Sequence, residues 1–235
     1  APRGHKPTIY EKSDRLGGVF IAAAAPSFKE KDRELIRWYE KEMRDLGIEV
    51  KLDTPVTDFK GLKEEEIIVA TGAKPRKLPV PGFEKTIEAC EYLLGQKEVG
   101  DKVVIIGGGL SGCEIALDLY LKGKTPVIVE MKNDLVAVRG VCLANTSDLR
   151  DFFAHNKVEV HLETSVAEIT DDGVKIKDKD GNISEIKADS VISSAGYIPA
   201  PVTCEGKKAK LVGDCNGVGN LRTVVWRAWD VAMKI

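Results

Sequence analysis

The sequence predicts an α/β fold of two Rossmann-like lobes, the first of which is truncated at its N-terminus. A buried strand at Val103 to Ile106 leads through a run of glycines into a helix at Leu110 to Leu121, which is how a doubly wound unit starts. Strands and helices of similar order flank this unit on both sides. The flanking set begins with a strand at Thr8 to Tyr10, where about 25 residues of strand, turn and helix are expected upstream. The chain is therefore expected to begin inside its first lobe.

The first lobe is predicted from apolar periodicity and from glycine and proline punctuation. Its expected elements are the strand Thr8 to Tyr10, a Gly17-Gly18 turn, a helix over about 31–46 ended by Gly47, a strand at Ile48 to Leu52 and a strand at Ile67 to Ala70. Prolines between Lys74 and Gly82 then indicate a linker between lobes.

The second lobe follows this linker. Its expected elements are the strand Val103 to Ile106, the helix Leu110 to Leu121, the strand Val127 to Glu130, a helix at Ser147 to His155 and a hairpin insertion within 158–192. A last helix is expected from about Arg222. The predicted domains are residues 1–94 with 191–235 for the first lobe and 95–190 for the inserted lobe.

The glycine run carries the clearest chemical signal. Gly107, Gly109 and Gly112 have the spacing G-x-G-x-x-G between a strand and a helix. The first glycine permits a tight turn, the second lets a diphosphate approach the backbone, and the third lets the helix pack on the strand. Amides at the start of the helix and the helix dipole then bind the diphosphate. The alternative is a purely structural glycine turn.

Glu130, at the end of the next strand, is predicted to select the nucleotide. A carboxylate there accepts hydrogen bonds from the adenosine ribose and repels a 2′-phosphate, so NAD is favoured over NADP. Lys132 argues the other way, because a nearby cation could serve a phosphate. The alternative for Glu130 is an ordinary surface glutamate. In the flanking lobe, Glu11 ends its strand in the same position, which indicates a second nucleotide.

Five motifs in this order resemble those of two-dinucleotide flavoprotein reductases. They are Tyr10-Glu11-Lys12 with Leu16-Gly17-Gly18, Ala70-Thr71-Gly72-Ala73-Lys74-Pro75, Gly107 to Glu114, Ser194-Ala195-Gly196-Tyr197, and Val212-Gly213-Asp214. The chain most resembles the C-terminal half of the bacterial 2-enoate reductase and 2,4-dienoyl-CoA reductase group, whose N-terminal half is a barrel resembling Old Yellow Enzyme. This resemblance covers almost the whole chain.

The resemblance implies FAD on the outer lobe and NAD(P)H on the inserted lobe. Glu11 would then hold the FAD ribose, Asp214 would bind the ribityl or pyrophosphate region, and Glu114 would contact the nicotinamide end. Gly17 and Gly18 would lie along the flavin, with Thr71 and Gly72 closing over it. The predicted cofactor-binding residues are Gly107, Gly109, Leu110, Ser111, Gly112, Glu114, Glu130, Gly196, Glu11, Gly17, Gly18, Thr71, Gly72, Gly213 and Asp214.

The chain also departs from the family pattern, because it lacks the first glycine motif, the barrel with its FMN, and the cysteine cluster for iron and sulfur. We therefore expect an NADH-binding, electron-input fragment of an enoate or dienoyl-CoA type reductase, which passes hydride from NAD(P)H to FAD. Its expected partner is the FMN and iron-sulfur barrel domain of the parent protein. FAD should be weakly held or absent in the fragment, which should be inactive alone. No catalytic side chain or metal ligand is predicted.

Two alternatives share these motifs. One is an NAD-binding or docking module without turnover. The other is the equivalent half of another two-dinucleotide flavoprotein, such as a glutamate synthase small subunit or a ferredoxin reductase.

Composition argues against other partners. The 35 basic and 37 acidic residues leave no field that would attract nucleic acid or an anionic membrane. Apolar runs fall short of the roughly 20 residues that span a bilayer. The start lacks the apolar region of a signal peptide, and the five cysteines are scattered, so a cytoplasmic location is expected.

Overall fold

A computed structural model of the chain describes residues 1–137, 140–203, 205–206 and 208–235. One of the five cysteines, Cys204, lies outside these ranges. The strands are β1 Thr8–Tyr10, β2 Glu49–Lys51, β3 Ile68–Val69, β4 Ala73–Pro75, β5 Ile87–Glu88, β6 Lys102–Ile106, β7 Thr125–Val129, β8 Glu159–His161, β9 Ser165–Ile169, β10 Gly173–Lys177, β11 Ile183–Lys187, β12 Ser190–Ser193, β13 Tyr197–Pro199 and β14 Lys210–Leu211. The helices are α1 Val19–Ala23, α2 Glu30–Asp45, α3 Ala89–Leu93, α4 Leu110–Leu121, α5 Leu143–His155 and α6 Leu221–Ala232, with short 3₁₀ turns at Phe83–Lys85 and Gly213–Asn216.

The chain divides into two compact units. The first comprises residues 1–24, 30–75 and 197–235, and the second comprises residues 25–29 and 76–196. The inserted unit therefore begins 19 residues before the position that the sequence predicts, and it ends 6 residues later. The reason is a contact between segments that are far apart in the chain: β5 pairs with β12, and Ala89 and Tyr92 of α3 lie in the core of the second unit.

The second unit is built on a parallel sheet of order β5-β12-β6-β7-β8. β6 is its central strand, and residues Val103 to Ile106 are buried because both faces of the sheet are covered. On one face α3, α4 and α5 contribute to an apolar cluster that contains Ile105, Leu119 and Phe153. On the other face lies a second cluster, to which the antiparallel strands β9, β10 and β11 contribute. This three-stranded sheet corresponds to the predicted insertion.

The first unit contains three two-stranded sheets. β1 pairs with β2 and β3 pairs with β14, both in parallel, whereas β4 pairs with β13 in antiparallel. Strands that follow residue 196 thus pair with strands that precede residue 76, and the two flanking stretches fold together. The buried core is small, with Phe59, Val69 and Cys215 at its centre.

Several helices begin or end where local sequence dictates. α4 spans the predicted residues, whereas α5 begins at Leu143, four residues before its predicted start. α6 begins with a capping box in which Asn220 and Thr223 satisfy each other's backbone amides. Within the described ranges, no helix has the length and apolar character that crossing a membrane requires.

Candidate functional site

The glycine turn after β6 is shaped by two glycines that the protein's own packing requires. Gly107 has φ +108°, and a Cβ atom there would overlap the carbonyl oxygen of Ser194. A Cβ atom on Gly112 would overlap the carbonyl oxygen of Gly107, so this glycine lets α4 start directly against the turn. Both residues are therefore explained by the fold alone.

Gly109 is different, because nothing in the protein's own packing requires a glycine there. Its backbone angles, φ −70° and ψ −178°, suit any residue. Among the residues that the structure describes, none would lie within 4 Å of a Cβ atom on Gly109. Gly109 is the N-cap of α4, whose first turn begins with Leu110 and Ser111 and presents amides that have no intrahelical acceptor. The open space at Gly109 thus adjoins the N-terminus of α4, and helix N-termini in general favour anions.

Glu130 is fastened to this turn and is not an ordinary surface residue. Its side chain is buried, with 8% exposure for the residue. Its Oε2 accepts a hydrogen bond of 2.6 Å from the amide of Gly108, and its Oε1 accepts one of 2.8 Å from the amide of Lys132. A carboxylate oxygen can accept two hydrogen bonds, so each oxygen keeps capacity for a hydroxyl donor.

The amine of Lys132 is held by its own loop. Its Nζ donates to the carbonyl oxygen of Ala137 at 3.0 Å, although the residue as a whole is exposed. A 2′-phosphate would have to compete with this carbonyl for the amine.

Cys113 lies directly behind the turn and is chemically quiet. Burial, with a smaller contribution from the charge of Glu130, raises the pKa of the Cys113 thiol to about 12. Its Sγ donates to the carbonyl oxygen of Gly108 at 3.4 Å. The thiol is neutral at physiological pH and serves as a packing residue.

Glu114, one turn into α4, forms an ion pair with Lys29. Lys29 Nζ lies 2.5 Å from Glu114 Oε1, and the two side chains are 22% and 16% exposed. Residues 25–29 belong to the second unit although they lie within the first flanking stretch. Sequence reasoning named Glu114 and missed Lys29, since 85 positions separate the partners and no local pattern links them.

Gly196, the last residue of the second unit, follows β12. It has φ +86°, and its carbonyl oxygen accepts a hydrogen bond of 2.9 Å from the amide of Arg76. A Cβ atom there would meet none of the described residues within 4 Å, so the backbone angle is what requires glycine.

In the first unit, Glu11 follows β1, and its carboxylate is hydrogen-bonded to the nearby residue Ser13. Its Oε1 accepts from the amide of Ser13 at 2.8 Å and from the Ser13 hydroxyl at 2.7 Å. Among the residues that the structure describes, none donates to Glu11 Oε2. One carboxylate oxygen of Glu11 is thus left for another donor.

Thr71 and Gly72 have hydrogen-bond partners within the first unit. Thr71 Oγ1 donates to Ala200 O at 2.8 Å, and the carbonyl oxygen of Gly72 accepts from the amide of Ala200 at 3.1 Å. These bonds hold Thr71 and Gly72 beside the strand that returns from the second unit. Both also lie at the end of β3, where loops of α/β sheets bind ligands.

The two glycines at the start of α1, Gly17 and Gly18, both have positive φ angles but differ in the space around them. Gly17 has φ +123°, and a Cβ atom there would lie 2.8 Å from Ile21 Cγ1. Gly18, the N-cap of α1, has φ +53° and open space around its α-carbon.

Gly213 and Asp214 begin the 3₁₀ turn after β14. Asp214 Oδ1 accepts a hydrogen bond of 3.0 Å from the amide of Gly219. The guanidinium of Arg227, on α6, donates to the carbonyl oxygens of Gly213 and Gly217.

The predicted cofactor-binding residues fall into two groups, one in each unit. The second-unit group is Gly107, Gly109, Leu110, Ser111, Gly112, Glu114, Glu130 and Gly196, and the first-unit group is Glu11, Gly17, Gly18, Thr71, Gly72, Gly213 and Asp214.

A parallel sheet with a glycine turn at its central strand defines an α/β protein of the Rossmann type found in two-dinucleotide flavoproteins. Residues 61–218 match the family described as pyridine nucleotide-disulphide oxidoreductase, and the chain belongs to that family. The predicted fold class is therefore confirmed.

Similar proteins confirm the resemblance to the enoate reductase group. The chain is 40% identical to a cinnamate reductase of Clostridium sporogenes, over all of this chain and 36% of that protein. It is 30% identical to an NADH oxidase of Thermoanaerobacter brockii, over all of this chain and 38% of that protein. A solved 2-naphthoyl-CoA reductase in complex with 2-naphthoyl-CoA superposes with a TM-score of 0.91 and 29% identity, over all of this chain and 37% of that one. The chain therefore spans little more than a third of the length of these relatives.

Proposed function

We propose that this chain is the electron-input part of a flavin-dependent reductase of the enoate reductase type, in which the second unit binds NADH and the first unit contributes to an FAD site. Membership of the pyridine nucleotide-disulphide oxidoreductase family supports both nucleotides. The names of the relatives, a cinnamate reductase, an NADH oxidase and a 2-naphthoyl-CoA reductase, support a reductase as the whole protein.

The observation that carries the proposal is the open space at Gly109. Of the three glycines that define the G-x-G-x-x-G spacing, Gly107 and Gly112 are required by the fold and Gly109 is not. A glycine that is neither sterically nor conformationally required, next to the free amides of α4, fits a backbone that a diphosphate must approach closely. Glu130 adds the second element, because its fixed carboxylate retains acceptor capacity for ribose hydroxyls.

The first unit fits FAD only in part. Glu11 has a carboxylate oxygen to offer a ribose, and Asp214 lies on the 3₁₀ turn that follows β14, the strand paired with β3. The seven residues that precede β1 contain no G-x-G-x-x-G turn, which is the main donor of amides to a diphosphate. We infer that FAD binding by the first unit needs such a turn in addition to the residues described here.

When both nucleotides are bound, the nicotinamide supplies a hydride and the flavin accepts it. The residues of this chain would bind and orient the nucleotide. The turn residues and Glu130 hold the nucleotide at its diphosphate and ribose. The ion pair with Lys29 fixes the carboxylate of Glu114 within the second unit.

A paired binding and turnover experiment tests the proposal. The wild-type chain and Gly109→Val are titrated with NADH by calorimetry, and both are assayed for NADH oxidation with an artificial acceptor in the presence of added FAD. We expect the wild type to bind NADH, and the variant to lose binding while keeping its circular dichroism spectrum. Undiminished NADH affinity in the variant would contradict the assignment of the turn. Because the chain is expected to be inactive alone, the turnover assay is informative when oxidation occurs: FAD-dependent oxidation of NADH by the wild type, lost in Gly109→Val, would support transfer of hydride to flavin. A wild type that does not bind NADH would contradict the proposal.

A further inference from the structure

A short loop closes against the glycine turn from one side. Residues 131–137 follow Glu130, and the amide of Val136 donates a hydrogen bond of 2.7 Å to the carbonyl oxygen of Gly108. Leu135 packs on the same glycine, since a Cβ atom on Gly108 would lie 2.6 Å from Leu135 Cδ2. Leu135 and Val136 are both buried. Both polar groups of Gly108 are therefore bound, the carbonyl by this loop and the amide by Glu130.

The loop adopts a conformation that its own sequence disfavours. Val136 has φ +48°, in the left-handed region that a β-branched residue rarely enters. Such a residue keeps this backbone only when its surroundings hold it there. The loop therefore needs an anchor that lies outside it.

Arg150 on α5 provides that anchor. Its Nε lies 2.9 Å from Asp134 Oδ1 and a terminal nitrogen lies 2.9 Å from Asp134 Oδ2, which is the two-pronged geometry of a strong guanidinium-carboxylate pair. The same terminal nitrogen donates to the carbonyl oxygen of Leu135 at 2.6 Å. Arg150 is itself well supported, because the neighbouring residue Leu149 and the next-turn residue Phe153 lie in the core.

We propose that Arg150 is a positioning residue for NADH: it holds the loop 131–137 against Gly108 and so fixes both the glycine turn and the carboxylate of Glu130. This inference rests on the proposed function, which assigns NADH to the turn. Arg150 acts through a chain of contacts that runs from its guanidinium to Asp134 and Leu135, and from the Val136 amide to Gly108. The Lys132 amide, in the same loop, orients Glu130 Oε1. A loosened loop would free the turn and the carboxylate together, so that binding NADH would have to reorder both.

The test compares the wild-type chain with Arg150→Ala and Asp134→Asn, and uses Lys175→Ala as the matched control. Lys175 also belongs to a charge pair of the second unit, with Glu168 at 2.7 Å, but it lies on the antiparallel sheet. The dissociation constant for NADH is measured by calorimetry, and backbone amide exchange is followed by mass spectrometry. We expect about a tenfold weaker NADH affinity for Arg150→Ala, which is the equivalent of one charge-assisted hydrogen bond. Asp134→Asn should weaken affinity less, because the bond to Leu135 remains, and Lys175→Ala should not change it.

Amide exchange shows whether Arg150 positions only the loop 131–137 or stabilises the whole second unit. We expect faster exchange in peptides that cover 131–137 for Arg150→Ala, with no change in peptides from β9 to β11. Unchanged NADH affinity in folded Arg150→Ala would overturn the inference and leave the proposed function intact. Faster exchange throughout the second unit would also overturn it, since Arg150 would then support the whole fold. If Arg150→Ala does not fold, Asp134→Asn decides by the same two measurements. A wild type that does not bind NADH would overturn the proposed function and this inference with it.

Discussion

In the second unit, the parallel strands lie in the order β8, β7, β6, β12 and β5, so that β6 joins two pairs of strands into one sheet. The first unit has two matching parallel pairs, β2 with β1 and β3 with β14. No strand joins these pairs among the described residues. The strand without a counterpart is the one that carries the glycine turn.

The hydrogen bonds of the glutamates that follow β7 and β1 show the same likeness and the same difference between the two units. The amide of Glu130 donates to the last residue of β8 at 2.8 Å, and the amide of Glu11 donates to the last residue of β2 at 2.9 Å. Each carboxylate accepts from the amide two residues later. Only Glu130 also accepts from a glycine turn, through Oε2. Among the described residues, Glu11 thus repeats the backbone contacts of Glu130 but not its hydrogen bond to a glycine turn.

The largest expected effect is a difference between the two nucleotides. We expect the chain to bind NADH but to hold FAD several orders of magnitude more weakly than a complete site would, because two or three charge-assisted hydrogen bonds of about 1.5–3 kcal/mol each are missing. The measurement is flavin absorbance after incubation with excess FAD and removal of free cofactor, with an NADH titration of the same sample as the control for folding. Stoichiometric retention of FAD would break the comparison, since the first unit would then be complete without the turn.

A second test compares two glycines of one turn. Gly112→Ala should destabilise the fold by about 1–3 kcal/mol, because its Cβ atom would overlap the backbone at Gly107. Gly109→Ala should change the free energy of unfolding by less than about 1 kcal/mol, since its Cβ atom enters open space. Denaturant unfolding of both variants without nucleotide checks this. Equal destabilisation would show that Gly109 is also a structural glycine and would weaken its assignment to a ligand.

The features that could be predicted from the sequence are those marked by apolar periodicity or by the spacing of nearby residues. The boundaries of α4 and the position of Glu130 follow from apolar runs and glycine spacing, which are local patterns. The pairing of β4 with β13 and the ion pair of Lys29 with Glu114 join residues far apart in the chain, and no local pattern marks either contact. The sequence places the start of the inserted unit at residue 95, and the contacts of the structure divide the chain at residue 76. β5 is only two residues long and leaves no clear local pattern, although its pairing with β12 joins it to the second unit.

A third test exchanges each glutamate for its neutral amide. Glu130→Gln should lose about 1.5–3 kcal/mol of stability, because two backbone amides donate to its two oxygens and one of them would face the new NH₂ group. Glu11→Gln should cost less than about 0.5 kcal/mol, since the amide oxygen can stay with Ser13 and the NH₂ group can take the Oε2 side. Thermal and denaturant unfolding of the two variants measures the difference. A cost for Glu11→Gln as large as for Glu130→Gln would mean that the two carboxylates are equally satisfied.

The smallest expected effect concerns the choice between nucleotides at the second unit. A carboxylate at position 130 repels a 2′-phosphate, so Glu130→Ala should narrow the preference for NADH over NADPH, by about tenfold if one charge-assisted bond to the ribose is lost. Lys132→Ala is the companion variant, and it should leave the preference nearly unchanged, because the Lys132 amine is bound to Ala137 O and only its amide serves Glu130. Dissociation constants for NADH and NADPH are measured for both variants and the wild type. If Lys132→Ala shifts the ratio and Glu130→Ala does not, then the lysine governs the choice between the nucleotides, and Glu130 serves only to hold the amides of Gly108 and Lys132.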